Sequence, residues 1–356
     1  METTTALDLA AELGHERLVV IADRGTGLRA VVAIHDTALG PGVGGTRMRS
    51  YPTFDAAVVD ALRLSRAMTY KAAYAGLPLG GAKAVIDGDP ATAKSPALLA
   101  AYARAVGELE GRFVTGGDMG IGPADLTYMA RFSKVFEHVP SPDGPDSSDL
   151  TALGVAASIR AVAARLGTSI RGLTVTVQGL GEVGSRLARY LARAGARLRV
   201  ADVVPARARA VAVETGAEVL DPEAVVEAEC DVLSPNAAGG VIDAERAGRL
   251  RCRAVCGAAN NPVTEAYVGY DLAARQILYA PDFVVSAGGI LSLLYDRGEL
   301  DEAGTRARVE RIGDDLGELL DAAAAEGVPP FRLAERRVEE RLAAASAARA
   351  GRPAGR

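Results

Sequence analysis

Six residues, Gly179-Leu180-Gly181-Glu182-Val183-Gly184, restrict the second half of this chain to very few folds. The apolar run 173–178 leads into this GxGxxG turn, the helical pattern 182–193 leaves it, and a second strand pattern follows at 198–201. Strand, tight turn, helix, strand is the order of a βαβ crossover. Gly179 permits the turn, Gly181 lets backbone approach a pyrophosphate, and Gly184 allows helix and strand to pack closely. The helix N-terminus then presents unpaired N–H groups and positive dipole character to phosphate. Alone the motif is weak, and the flanking strand and helix are what make it specific for a dinucleotide. Asp202 follows Gly184 by 18 residues at the end of the next strand, placed to accept hydrogen bonds from ribose hydroxyls and to repel a 2′-phosphate. NAD is therefore favoured over NADP, although Arg207 and Arg209 lie close enough in sequence to meet a 2′-phosphate instead. The plainer alternative is a tight βα turn in another nucleotide-like fold, with Asp202 a solvated acid.

A chain of 356 residues exceeds what one hydrophobic core usually supports, so two domains are expected. A net charge of -5 supplies no global field for nucleic acid or an anionic membrane. Three cysteines, Cys230, Cys252 and Cys256, have no CxxC spacing and are odd in number, which suits a reducing compartment. The N-terminal run has no basic stretch followed by an apolar one, and no segment reaches 18 uninterrupted apolar residues. A cytoplasmic protein without membrane or nucleic-acid partners, and without a metal site, is the expectation.

Elsewhere the pattern predicts strands at 29–34, 84–86 and 112–115 and a helix over 53–70. SPDGPDSSD at 141–149, with Pro142 and Pro145, reads as a linker. Beyond it, a helix over 153–166 and further strands at 230–233, 254–257 and 277–280 would extend a largely parallel sheet. The tail from 301 to about 350 reads as two long helices separated by GVPP at 327–330.

Three charged residues stand out before the Gly-rich turn. Lys71 continues the apolar stripe of the 53–70 helix, Lys83 follows Leu79-Gly80-Gly81-Ala82 at the start of a strand, and Asp118 lies in TGGDMG just after one. Strand ends are where ligands gather in open sheets. A helix-end cation favoured by the dipole, a solvent-facing edge lysine and a turn-capping aspartate are the alternatives.

The run LPLGGAKAVIDGDP at 77–90 resembles the active-site signature of the glutamate/leucine/phenylalanine/valine dehydrogenase family. The similarity extends through GLRAVVAIHDTALGPGVGGTR at 27–47, MTYK at 68–71, TGGDMG at 115–120, GAANN at 257–261 and LYAPDFVVSAGG at 278–289. It lies nearer the branch for branched-chain and aromatic amino acids than the glutamate branch. The resemblance implies an α/β substrate and oligomerisation domain at 1–145, a Rossmann NAD-binding domain at 146–325, and a C-terminal helix at 326–356 returning to the first domain. An active site in the interdomain cleft and a homo-oligomer are implied with them. By position, Lys71 matches the family's carboxylate-anchoring lysine, Lys83 its catalytic lysine and Asp118 its catalytic aspartate. Asn260 and Asn261 match the asparagine region at the nicotinamide and amino group, and Asn236 joins the cofactor side.

Such an enzyme passes a hydride from the substrate Cα to nicotinamide and leaves an imine for water to attack. Lys83 would activate that water, which requires it to be neutral part of the time through desolvation and nearby positive charge. Asp118 would move protons at the nitrogen. The resemblance places Val43, Gly44, Gly116, Ile290 and Leu293 around the substrate side chain. None is charged, so a bulky apolar L-amino acid is expected, interconverted with its 2-oxo acid and ammonia. Ser286-Ala287-Gly288-Gly289 departs from the branch's Asn-Ala-Gly-Gly, and Ser234-Pro235-Asn236 stands where Ala-Pro-Cys is common. A serine has a shorter reach to a substrate carboxylate and one hydroxyl donor. An amine dehydrogenase with an altered carboxylate site and a non-catalytic NAD-binding protein are the competing readings. A hydroxy-acid dehydrogenase is disfavoured, because His15, His35 and His138 form no evident histidine–acid arrangement.

Overall fold

The structure, a computed structural model, describes residues 5–136, 144–237 and 239–350. The chain divides into two compact units, Met1–Pro142 with Val338–Arg356, and Asp143–Arg337. In the first, helix α1 (Ala6–Glu12) precedes strands β1 (Arg17–Asp23), β2 (Leu28–Asp36), β3 (Gly42–Val43) and β4 (Thr46–Arg49). Helix α2 (Phe54–Tyr74), strand β5 (Gly80–Asp87), helix α3 (Pro96–Gly107), strand β6 (Phe113–Val114) and helix α4 (Pro123–Met129) follow. The sheet order is β1-β2-β5-β3-β6, with β4 also paired to β5. Strands β1, β2 and β5 are antiparallel and the remaining pairs parallel.

Alternation along the strands sorts the core into two layers. Val31, Ala33 and Val85 meet Ala57, Val58, Ala61 and Leu62 of α2. Ala30, Val32, Ile34, Ala82, Ala84 and Ile86 meet Leu98, Leu99, Tyr102 and Val106 of α3. Each fully buried Val, Leu or Ile side chain here stabilises the unit by about 1.5–3 kcal/mol. All but the last residue of β5 is buried, and Lys83 shares the α2 side with Val85.

Two expectations shift in this unit. Strand β5 begins at Gly80 rather than 84, so Lys83 lies within it; a Cβ on Gly81 would overlap Thr69 of α2, and only glycine lets the strand continue under the helix. Helix α2 starts on the Thr53 cap, which accepts the Ala56 N–H at 3.2 Å, and runs past 70 to Tyr74 because Ala72 and Ala73 sustain it until Gly76 at φ +82°.

Two histidines join the base of this layer. His15 Nε2 lies 2.8 Å from Ser65 Oγ, His35 Nδ1 lies 2.8 Å from Thr69 Oγ1, and the rings meet edge-on at 4.8 Å. Burial pushes both imidazoles down, His35 to about 4. His138 lies outside the described residues.

The second unit opens with α5 (Ser147–Arg165) and contains β7 (Thr174–Gln178), α6 (Glu182–Arg193), β8 (Arg197–Ala201), α7 (Pro205–Thr215) and β9 (Glu218–Val219). It continues with β10 (Val232–Pro235), α8 (Ala244–Arg249), β11 (Ala254–Val255), α9 (Ala266–Ala274) and β12 (Leu278–Tyr279). Helices α10 (Asp282–Val285), α11 (Ser292–Asp296), α12 (Glu302–Glu310), α13 (Ile312–Glu326) and α14 (Pro330–Ala350) complete the chain. All strands of its sheet, ordered β12-β11-β10-β7-β8-β9, run parallel.

The supposed linker at 141–149 ends in a helix start: Asp146 caps α5 by accepting the Ser148 and Asp149 N–H groups at 2.7 and 3.0 Å. Residues 141–143, Pro142 among them, lie outside the described residues. The tail forms three helices rather than two. Its apolar stripe, Val309, Ile312, Leu316, Leu319 and Ala323, runs on unbroken across a turn at Arg311, so periodicity alone conceals the interruption. Helix α14 belongs to the first unit from Val338, where Glu339 accepts the Tyr70 hydroxyl at 3.1 Å.

The cysteines form no disulfide, and Cys230 and Cys256 are buried. Burial raises all three thiols, Cys252 to about 12.

Candidate active site

In the first unit β5 carries Lys83 to the carboxylate of Asp118, which lies just beyond β6. Lys83 Nζ is 2.7 Å from Asp118 Oδ2. Burial pushes the lysine's pKa down, and Arg47 adds to that shift while Asp118 opposes it. Burial alone would raise Asp118, but Lys83 and Arg47 hold its carboxyl well below the usual carboxylate range. An ionised aspartate therefore faces a lysine under pressure to lose its proton, the combination expected of a base and its partner.

Val43 and Gly44 run beside the same segment of β5, Val43 paired with Gly81. A Cβ on Gly44 would overlap the Ala82 carbonyl, so a glycine is required for the chain to pass so close to Lys83. Gly116 differs, since a Cβ there would meet nothing within 4 Å. Lys71 is buried in the last turn of α2, where the helix carbonyls favour a cation.

Arg47 was not singled out by the sequence. On β4, its Nε lies 2.9 Å from Asp118 Oδ2 and its Nη1 lies 2.9 Å from Asp60 Oδ2. It closes the GVGGTR run, but nothing local marks a partner 71 residues away. Thr46 beside it binds the hydroxyls of Tyr102 and Thr115 at 2.7 and 2.8 Å, joining β4 to α3 and to the strand before Gly116.

In the second unit the Gly-rich turn fits a pyrophosphate. Gly179 has φ +86°, a conformation that favours glycine, and a Cβ on Gly184 would overlap the Gly179 carbonyl. Gly181 caps α6 with open space where its side chain would be. Glu182 and Val183 form the first turn of α6, and Glu182 is exposed and paired with Arg186. Asp202 is buried beneath the turn, its Oδ2 accepting the Leu180 N–H at 2.7 Å and its Oδ1 the Val204 N–H at 2.8 Å. It thus braces the Gly-rich turn and the start of α7 together. Arg207 Nη1 stands 3.9 Å from Asp202 Oδ1.

Asn236 ties three strand ends. Its N–H reaches the Gln178 carbonyl at 2.7 Å, its Nδ2 the Ser234 carbonyl at 2.8 Å, and its Oδ1 accepts the Ala258 N–H at 3.0 Å. Asn261 adopts φ +49° and donates its N–H to Asp282 Oδ2 at 2.8 Å, while Tyr279 donates to the other oxygen at 3.0 Å. The buried Asp282 therefore fixes the Asn260-Asn261 turn, a support that the sequence reading passed over inside LYAPDFVV. Ser286 is buried and donates its hydroxyl to the Asp282 carbonyl at 2.7 Å. Ile290 is buried and Leu293 half-buried near the end of the same segment.

A parallel sheet with a Gly-rich turn opening α6 and a carboxylate at the end of β8, in one chain with a buried lysine paired to an aspartate, defines a nicotinamide-dependent oxidoreductase. Comparison with known proteins makes this specific. The chain belongs to the Glu/Leu/Phe/Val dehydrogenase family: residues 15–134 match its dimerisation domain, and residues 145–203 and 200–296 match the glutamate/leucine/phenylalanine/valine dehydrogenase model. It is 40% identical to the phenylalanine dehydrogenase of Thermoactinomyces intermedius, covering 92% of each chain. It is 42% identical to the valine dehydrogenase of Streptomyces virginiae, over 92% of this chain and 94% of that one. Among solved structures, L-tryptophan dehydrogenase from Nostoc punctiforme superposes with a TM-score of 0.76 at 37% identity, over 96% of this chain and 99% of the other. The chain is an amino-acid dehydrogenase.

Proposed function

We propose that the chain catalyses reversible oxidative deamination of a bulky apolar L-amino acid, such as leucine, valine or phenylalanine, with NAD as coenzyme. The 2.7 Å contact between Lys83 and Asp118 carries this reading, because it couples a lysine driven toward neutrality to a fixed carboxylate. Gly179–Gly184 and Asp202 would hold the coenzyme, which would supply the acceptor for a hydride from the substrate Cα. Lys71 holds the substrate carboxylate. Neutral Lys83 takes a proton from the water that adds to the imine carbon, and Asp118 carries protons to the departing nitrogen, so that ammonia and a 2-oxo acid leave. Val43, Gly44 and Gly116 in the first unit, and Ile290 and Leu293 in the second, present no charge to pair with a glutamate side chain. Asn236, Asn260 and Asn261 serve the nicotinamide side, and the first unit carries self-association into a homo-oligomer.

NADH formation at alkaline pH with leucine, valine, isoleucine and phenylalanine tests this directly. Silence with every apolar amino acid sinks the reading, and preference for glutamate or alanine removes the substrate class. Parallel assays with NADP test Asp202 as the discriminating residue. One observation favours a second reading, an amine dehydrogenase: the Ser286 proton is engaged by Asp282 rather than offered to a carboxylate. Carboxylate-free amines in the same panel separate the two.

A further inference from the structure

Arg47 reaches two carboxylates at once, and the arrangement is asymmetric. Its Nε and the Lys83 Nζ converge on one oxygen, Asp118 Oδ2, at 2.9 and 2.7 Å. Its Nη1 is held from behind by Asp60 on α2, which also accepts the Tyr51 hydroxyl at 2.5 Å. The guanidinium is nearly enclosed, with 14% of its side chain exposed, so water screens it weakly. Two cations thus share a single carboxylate oxygen. An arginine stays protonated in any protein environment, whereas a lysine loses its proton readily when buried. If the pair sheds one proton, the lysine is the group that sheds it.

The charged groups that act most strongly on Lys83 come from three directions: Arg47 from β4, Asp118 from the segment after β6, and Asp60 from α2, with Tyr51 behind Asp60. Only Arg47 among them favours the neutral amine. We propose that Arg47 is a positioning residue for the deamination: anchored by Asp60, it fixes Asp118 Oδ2 and places a permanent second cation beside the pair, so that Lys83 serves as the base. The inference rests on the reading of Lys83 as that base.

Arg47→Gln retains an amide donor toward Asp118 but removes the charge, Arg47→Met removes both, and Arg47→Lys restores a cation. Two measurements are made on each variant and on the wild type: the pH profile of kcat/KM for deamination, and titration of the Lys83 ε-carbon by NMR in 13C-lysine-labelled protein, assigned with Lys83→Arg. The NMR readout is needed because the substrate amine titrates in the same range. In Arg47→Gln and Arg47→Met the Lys83 midpoint should move to higher pH by about one unit or more. The loss in kcat/KM should be about tenfold or greater on the acidic limb and shrink as pH rises. Arg47→Lys should recover part of the shift. A loss of equal factor at every pH with an unmoved Lys83 midpoint, or a midpoint moved to lower pH, overturns the inference. If Arg47→Met fails to fold, Arg47→Gln decides. Absence of turnover in the wild type would refute the proposed function, while the NMR titration would still decide what Arg47 does to Lys83.

Discussion

Lys83→Ala should leave coenzyme affinity unchanged in a fluorescence titration, since its ammonium pairs with Asp118, while kcat falls by about 10²–10⁴. Unaltered kcat would remove Lys83 from the chemistry. Gly116 offers a separate probe, because a side chain there enters open space instead of overlapping its neighbours. Gly116→Val should keep the wild-type melting temperature and raise KM for phenylalanine more than for valine; equal changes for both substrates would take Gly116 out of the side-chain pocket. Gly44 differs, since a Cβ there overlaps the Ala82 carbonyl and leaves no room for a side chain. The sequence could name Lys83 and Asp118, which sit in compact motifs beside strands. It could not name Arg47, Asp60 or Asp282, because each acts on a partner reached only by folding.

Among the elements, α6 was readable residue for residue at 182–193, since its glycine turn and its buried Leu187, Ala188 and Leu191 are all local signals. Strand β1 and helix α3 lie outside the elements that the sequence pattern predicts. β1 is half exposed at the sheet edge, which weakens its alternation, although Ser95 and Pro96 do carry a helix-start signal for α3. The missed turn at Arg311 has the opposite cause, an apolar stripe too regular to reveal it. The histidine pair between β2 and α2 ties local packing to pH. Unfolded imidazoles take up protons below about pH 6.5, whereas native His35 resists to about 4 and native His15 is lowered in the same direction. The unfolded state thus binds more protons in this window, so stability is retained above it and lost as pH falls from about 6.5 toward 4. For His35 alone the loss is on the order of 3 kcal/mol. Urea midpoints should drop between pH 7 and 5, and His35→Gln should flatten that slope while lowering stability at pH 7; an unchanged slope would exclude the pair as its source.

At the scale of the whole molecule, chain length and the Gly-rich turn were enough to anticipate two units, one of them a parallel nucleotide-binding sheet. The change of allegiance of α14 at Val338 depends on contacts such as Tyr70 with Glu339, which no local pattern encodes. One asymmetry between the units has a practical side. Every cysteine of the chain, Cys230, Cys252 and Cys256, lies in the nucleotide-binding unit, and burial keeps each as an unreactive thiol. Alkylation followed by mass spectrometry would therefore time the opening of that unit while the other stays silent. Coenzyme bound only to the closed form should slow the labelling in proportion to 1 + [NAD]/Kd, and labelling indifferent to NAD would mean that these thiols open without releasing the dinucleotide site. Three cysteines confined to one unit thus make a gauge of coenzyme affinity that works on an enzyme at rest.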